Sequence, residues 1–438
     1  MMRRHSSRLL LRAAAGLVLN FAGNISAAPV DVSSVENLRP ARPLIPDHIF
    51  SITDFGAIGD GHTLNTEAIR KAMAAVEQAG GGRLLVPKGI FRTGPFSLCS
   101  NLDLHFEKGA TLQAPDTFTE LGLPEPETLH SQAEASAIKT PDPLISGKHL
   151  HDVAITGCGT IDGSGAHWWA WSERAARASP GRLVYRRPHL VVINGCERLL
   201  VADITLSNSS MFHLVPRDIR DLTIERVKVR APFNAPNTDA IDPGPVTNAW
   251  IHHCDIDTGD DDIVIKSGGH NVLIEDCTIA HGHGISIGSE TSAGVSRMLV
   301  RRCRFTGGDN GIRIKSMRGA GGLVEQIRYT EITMSDVANP ITLQLNYVDN
   351  NRPNFKGDPA KVPEIRDILI DHVTVTGAHN AGKILGIPDR PISHVTLEDV
   401  TIVAETDLVV EDAEAPVLTR VTRTIKPGVA PAKISGEH

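Results

Sequence analysis

One feature of this chain limits its fold more than any other: a short pattern that keeps returning. From Asp152 onward the order is apolar, any, apolar, any, any, Cys/Val/Ile, any, apolar. It reads Leu199-Leu200-Val201-Ala202-Asp203-Ile204-Thr205-Leu206, then Leu222 to Val229, then Ala249 to Ile256. Further copies centre on Ile274 and Cys277, Val300 and Cys303, Ile370 and Val373, and Leu397 and Val400. Successive copies between Val201 and Val300 start 23, 27, 23 and 26 residues apart. A unit this short cannot bury its own apolar face, so the copies must stack into a solenoid. The stretches are β-branched with no ten-residue helical pattern between them, which argues against βαβ units. Each repeat therefore reads as one coil of an all-β, single-domain, right-handed parallel β-helix, with coils ~4.8 Å apart. Composition agrees. Apolar residues are 41% but aromatics only 4%, so the interior must be aliphatic, and 39 glycines and 27 prolines imply many turns.

The ends read differently. Asn65 to Ala79 places Ile69, Met73 and Val76 at helical spacing, with Asn65 as cap and Gly80-Gly81-Gly82 as stop. This predicts a helix plugging the N-terminal end of the solenoid, where an open coil would expose backbone groups. Arg3, Arg4 and Arg8 precede an apolar run from Leu9 to Phe21 and then small residues, which predicts a secretory signal over residues 1–27. Residues 28–46 read as a linker, 47–425 as the β-helix and 426–438 as a tail. Removing the signal takes four arginines and no acid, so the formal charge moves from −7 to −11. Nucleic acid and anionic membranes are excluded as natural partners, and nothing in the pattern calls for a second subunit. Cys158, Cys254, Cys277 and Cys303 all fall at the inward position of the repeat and read as a ladder of small core residues, leaving Cys99 and Cys196 unassigned.

After each repeat the chain runs into a second short strand. Aligning these on Ile241, Ile263 and Ile285 places Asp239, Asp261 and His283 two residues earlier, 22 residues apart, with Asp260 beside Asp261. Stacking then makes a column at ~4.8 Å steps. The next coil presents Gly311-Ile312-Arg313-Ile314-Lys315, with the isoleucines inward and Arg313 and Lys315 outward. An Asp-Asp pair in a turn is by itself an ordinary solvated feature, but carboxylates, a histidine and two cations in register from four coils are not. A calcium loop starting at Asp255, Asp257 and Asp260 fails, because Lys266 stands where a bidentate Glu is required. His252, His253, Cys254, His281 and His283 lack compact zinc spacing. No metal or other cofactor is expected.

Asn237-Thr238-Asp239, Gly259-Asp260-Asp261, Gly282-His283-Gly284 and Arg313-Ile314-Lys315 resemble, in order, the four signature motifs of glycoside hydrolase family 28, the polygalacturonases. The likeness runs from about Phe50 to about Val403. It departs at Ala240, where the family usually has Gly, and at Asp262, where Cys or Asn is common; Asp262 adds a fourth carboxylate. The resemblance implies inverting hydrolysis of polygalacturonan, the acidic backbone of pectin, by a secreted enzyme. Asp260 would be the general acid, Asp239 and Asp261 would activate water, and His283 would be hydrogen-bonded into the cluster. Asn237 belongs to the first motif and is expected to contact substrate. Arg313 and Lys315 match the residues that bind substrate carboxylates. Tyr347 resembles the family's tyrosine beside the leaving group, but reads nearly as well as a packed core residue. Lys266 reads as a solvated lysine at a strand end, or else a further cleft cation. Trp168, Trp169 and Trp171 read as packing against a coil rather than stacking on sugar. The rival readings are an exo-acting or rhamnogalacturonan-cleaving relative, a calcium-dependent pectate lyase, and a non-catalytic polysaccharide-binding β-helix.

Overall fold

The computed structural model describes residues 30–429 except 126–127, 129–133, 135–136, 140, 178–185 and 349–356, so the expected signal lies outside the described residues. The repeat becomes one coil of a right-handed parallel β-helix. Val201, Ile224, Ile251, Ile274 and Val300 pair in sequence, each over the last, so the same repeat position recurs in every coil. The corner between the two strands of each copy is one left-handed residue. Asp203, Arg226, His253, Asp276 and Arg302 all have φ between 52° and 62°. Such a residue costs about 1–2 kcal/mol when it is not glycine. Stacking partly offsets this, because corner side chains pair up the stack: Arg226 donates to Asp203 at 2.6 Å and Arg302 to Asp276 at 2.8 Å.

The residue after each corner points inward, and Cys254, Cys277 and Cys303 are buried there as free thiols. Cys158 does not join them; it is exposed. Its coil spends three residues, 157–159, between the paired positions Thr156 and Thr160, where the next coil spends two, 203–204, between Ala202 and Thr205. The extra residue loops Cys158 out of the ladder. Cys99 and Cys196 are buried.

A second parallel sheet forms another face. Its strands are Ile263–Ile265, Ile285–Ile287, Asn310–Lys315, Asn339–Gln344, Lys383–Leu385 and Val409–Glu411. Single bridges from Leu214 to Ile241 and from Ile241 to Ile263 extend its register two coils toward the N-terminus. The functional residues stand at the leading edge of this sheet.

Helix α1 (Thr66–Gln78) plugs the N-terminal end with Ile69, Ala72, Met73 and Val76 buried. Asn65 occupies the cap position but makes no cap bond. Its side chain is spent on the preceding loop, accepting from Ile58 N at 2.7 Å and donating to Thr63 O at 2.8 Å. Helix α2 (Ala166–Arg177), which no sequence expectation covers, sits in an insertion. Its Trp168 is buried edge-on to Phe118, and Trp169 donates to Ser209 O at 3.1 Å, so both pack as expected. Within the span read as a linker, Val32 and Val35 are buried against Leu273 and Leu299, Arg39 lies over Trp250, and Arg42 forks onto Glu225.

If the stacked aliphatic column holds the coils, truncation in its middle should cost far more than at its open end. Ile285→Ala should lose about 2–5 kcal/mol, whereas Val417→Ala, at a residue 57% exposed, should stay within about 0.5 kcal/mol. Urea-unfolding midpoints test this, and similar losses at both positions would contradict the assignment.

Candidate active site

Ile263 pairs with Ile241 on one side and Ile285 on the other. The residues two places earlier, Asp239, Asp261 and His283, therefore share one register position in consecutive coils, as the sequence predicts. Asp260 hangs beside Asp261, and its Oδ1 accepts from Asp261 N at 2.8 Å. The same Oδ1 lies 3.0 Å from His283 Nδ1, while His283 Nε2 faces Asp309 Oδ2 at 3.3 Å. Asn237 donates to Asp260 Oδ2 at 3.3 Å, and its own oxygen accepts from Arg187 at 2.6 Å. Arg187 thus sets the Asn237 amide so that its NH2 faces the carboxylate.

Asp261 is held by cations and a hydroxyl. Lys315 Nζ is 2.7 Å from its Oδ2, and Arg313 at 3.4 Å and Ser286 Oγ at 3.0 Å reach Oδ1. Asp239 bonds Lys266 Nζ at 2.7 Å, and that ammonium also bridges to Asp242 at 2.8 Å. Lys266 is therefore a cleft cation and not a solvated strand end, because two buried carboxylates hold it down. Tyr347 stands at the cleft rather than in the core, with Arg313 and Lys315 5.6 and 5.4 Å from its ring centre. Asp262 is fully buried, bonded to Gly284 N at 2.8 Å and to Thr258 at 3.3 Å.

These surroundings separate the carboxyls. Burial lifts Asp239 well above the carboxylate range against the pull of Lys266, and Asp242 and the other acids add to the lift. Burial likewise pushes Asp242 up to about 6 and Asp262 well up. Burial also works against ionised Asp260, but His283 outweighs it and holds that carboxyl well below the usual range. Lys315 and Arg313 overcome burial in the same way to keep Asp261 ionised. His283 is half-buried, and desolvation pulls its pKa down, but Asp260 and Asp309 outweigh this and raise it to about 10. In the resting cluster a proton sits on His283, hydrogen-bonded to Asp260, and Asp239 resists ionisation. Carboxyls driven apart in this way can divide acid and base work between them.

Asp260, Asp261 and His283 bring ligand atoms within 4.8 Å of one another. A cation there would compete with the ammonium already 2.7 Å from Asp261 and with the His283 proton, so the donor set suits proton traffic better than a metal. Sequence reasoning missed Asp242, Arg187 and Asp309. Asp242 follows Ile241 and was reachable by strand alternation; Arg187 lies in an irregular stretch with no periodic signal.

Lys266→Met would leave two buried carboxylates unpaired. The expected loss is about 3–5 kcal/mol near neutral pH. It should shrink as pH falls through the range where Asp239 and Asp242 accept protons, since neutral carboxyls need no partner. Chemical unfolding at two pH values checks this, and a pH-independent loss would refute it.

The comparisons with known proteins agree with the geometry. Residues 78–416 match the sequence profile of Glycosyl hydrolases family 28. A probable polygalacturonase of Vitis vinifera is 32% identical over 372 residues, spanning 81% of this chain and 74% of that protein. An endo-polygalacturonase of Pectobacterium carotovorum subsp. carotovorum is 32% identical over 327 residues, spanning 70% of this chain and 77% of the other. The crystal structure of a hyperthermoactive exopolygalacturonase from Thermotoga maritima superposes with a TM-score of 0.75 at 27% identity, covering 90% of this chain and 95% of that one. With the four motifs in register on a parallel β-helix, this chain belongs to glycoside hydrolase family 28.

Proposed function

We propose that the protein is a secreted polygalacturonase that hydrolyses α-1,4 bonds between galacturonate residues of pectin, with inversion at the anomeric carbon. The observation that carries this is the cluster of Asp239, Asp260 and Asp261 set between His283 and the Arg313–Lys315 pair. Three carboxyls supply acid and base, and the cations supply charge-assisted recognition of a polymer with a carboxylate on every sugar. Among the described residues no helix is long and apolar enough to cross a membrane.

The acid is assigned to Asp260. Its side chain is 20% exposed, against 3% for Asp239 and 2% for Asp261, so it is the one that a glycosidic oxygen can reach. It is ionised at rest, but His283 holds a proton 3.0 Å away. A substrate carboxylate that lies nearer to Asp260 than to His283 raises the Asp260 pKa more than that of His283, which favours moving that proton across. The Asp260–His283 pair then acts as one acid. Asp239 and Asp261 lie deeper, where a water molecule approaching the opposite face of the sugar would be activated, and inversion follows from leaving room for that water. The raised pKa of Asp239 favours a second reading in which Asp239 is the acid and Asp260 helps to activate water.

Leaving-group rescue decides between these. An aryl galacturonide with a good leaving group needs little protonation, so it should rescue Asp260→Asn, which otherwise loses ~10²–10⁴-fold in turnover. Asp239→Asn and Asp261→Asn should stay inactive; rescue of Asp239→Asn alone would exchange the roles. Proton NMR of the first product should show the inverted anomer, and retained α-configuration would overturn the mechanism.

The pH profile gives an independent check. Negative charge on Asp242 raises the pKa of Asp239, so Asp242→Asn should let Asp239 ionise more easily. The acidic limb of kcat/KM should move to lower pH, and a shift to higher pH would rule out Asp239 as the group behind that limb.

A further inference from the structure

The outward row that carries Lys315 continues toward the N-terminus. Parallel pairing puts Ile265 over Pro243 and Pro243 over Pro216, as shown by Lys266 N donating to Pro243 O and Gly244 N to Pro216 O. On the other side Ile287 pairs with Ile265 and with Ile314. The next residues therefore form one row, Arg217, Gly244, Lys266, Gly288 and Lys315, with a cation on every second coil. Two coil spacings separate successive cations, roughly 10 Å. Glycine between them is required. A Cβ at Gly244 (φ +148°) would fall 1.6 Å from Lys266 O, and one at Gly288 (φ +97°) 1.9 Å from Lys315 O. The floor between the cations is thus bare backbone.

Lys315 and Lys266 are already engaged by Asp261, Asp239 and Asp242. Arg217 is exposed, and among the described residues no carboxylate pairs with it. The catalytic column also continues past Asp239. Val191 pairs with Leu214 and Leu214 with Ile241, which puts Phe212 and His189 in that column one and two coils further on. Their rings lie 4.7 Å apart, and Lys266 Nζ is 4.0 Å from the Phe212 ring centre. Burial, together with Arg217, Lys266 and Arg187, pushes His189 down to about 4, so its imidazole is neutral and these cations share one field.

We propose that Arg217 is a substrate-binding residue that grips a galacturonate carboxylate two coils to the N-terminal side of the cleavage point, over the His189–Phe212 aromatic floor. A galacturonan chain laid along the helix axis passes over this row, and Arg217 is the cation in it with charge to spare. The proposal rests on the assignment of polygalacturonan as substrate. It makes Arg217 a determinant of chain-length preference, remote from the bond that breaks.

The test is kcat/KM on galacturonate oligomers of two to six units for wild type, Arg217→Ala and Arg217→Lys. Arg217→Ala should match wild type on the shortest oligomer that is cleaved and fall about tenfold on longer ones, mainly through KM. Arg217→Lys should recover part of that loss. A constant ratio of variant to wild type at every length, whatever its size, overturns the proposal, because a general structural effect or no effect gives that result. If wild type cleaves no galacturonate oligomer, it is the substrate assignment that fails.

Discussion

In-register hydrogen bonding between parallel coils is the constraint on which everything else in this molecule rests. It fixes the spacing along the axis and keeps each repeat position above its copy. A slip of one residue would turn every inward aliphatic outward, so the Ile241–Ile263–Ile285 stack admits one register. The same register delivers Asp239, Asp261 and His283 to one column. The site needs no separate scaffold; it is the polar side of the packing that makes the solenoid stable.

That arrangement sets the electrostatics. Three buried or half-buried carboxyls within a few coils could not all ionise unaided. Here two have a sufficient counterweight, His283 for Asp260 and Lys315 with Arg313 for Asp261, while Asp239 resists ionisation even beside Lys266. The protein is acidic overall and its substrate is an acid polymer, so long-range attraction is absent. Affinity has to come from cations placed at contact distance along the cleft, which is where the outward row puts them.

Period and motif spacing were legible in the sequence because they are local consequences of strand alternation and coil length. The repeat announced the solenoid, the helical spacing of Ile69, Met73 and Val76 announced the plug, and the offset from three isoleucines announced the column. What escaped depends on neighbours distant in sequence. Lys266 looks like a solvated strand end until Asp239 and Asp242, 27 and 24 positions away, are seen to hold it. Cys158 fits the repeat but sits in a corner one residue too long. Arg187 and helix α2 lie in an insertion that obeys no period.

The segment from Val30 to Leu44 runs back along the outside of coils made much later in the chain. Glu36 O accepts from Arg301, 265 positions on; Arg42 holds Glu225; and Leu44 N donates to Asp152. Its docking surface does not exist until Leu273 and Leu299 have been stacked. Contacts this distant close large loops and form late. This early-synthesised segment therefore cannot take its place before the coils through Leu299 have been stacked, and it works as a seal across the outside of those coils.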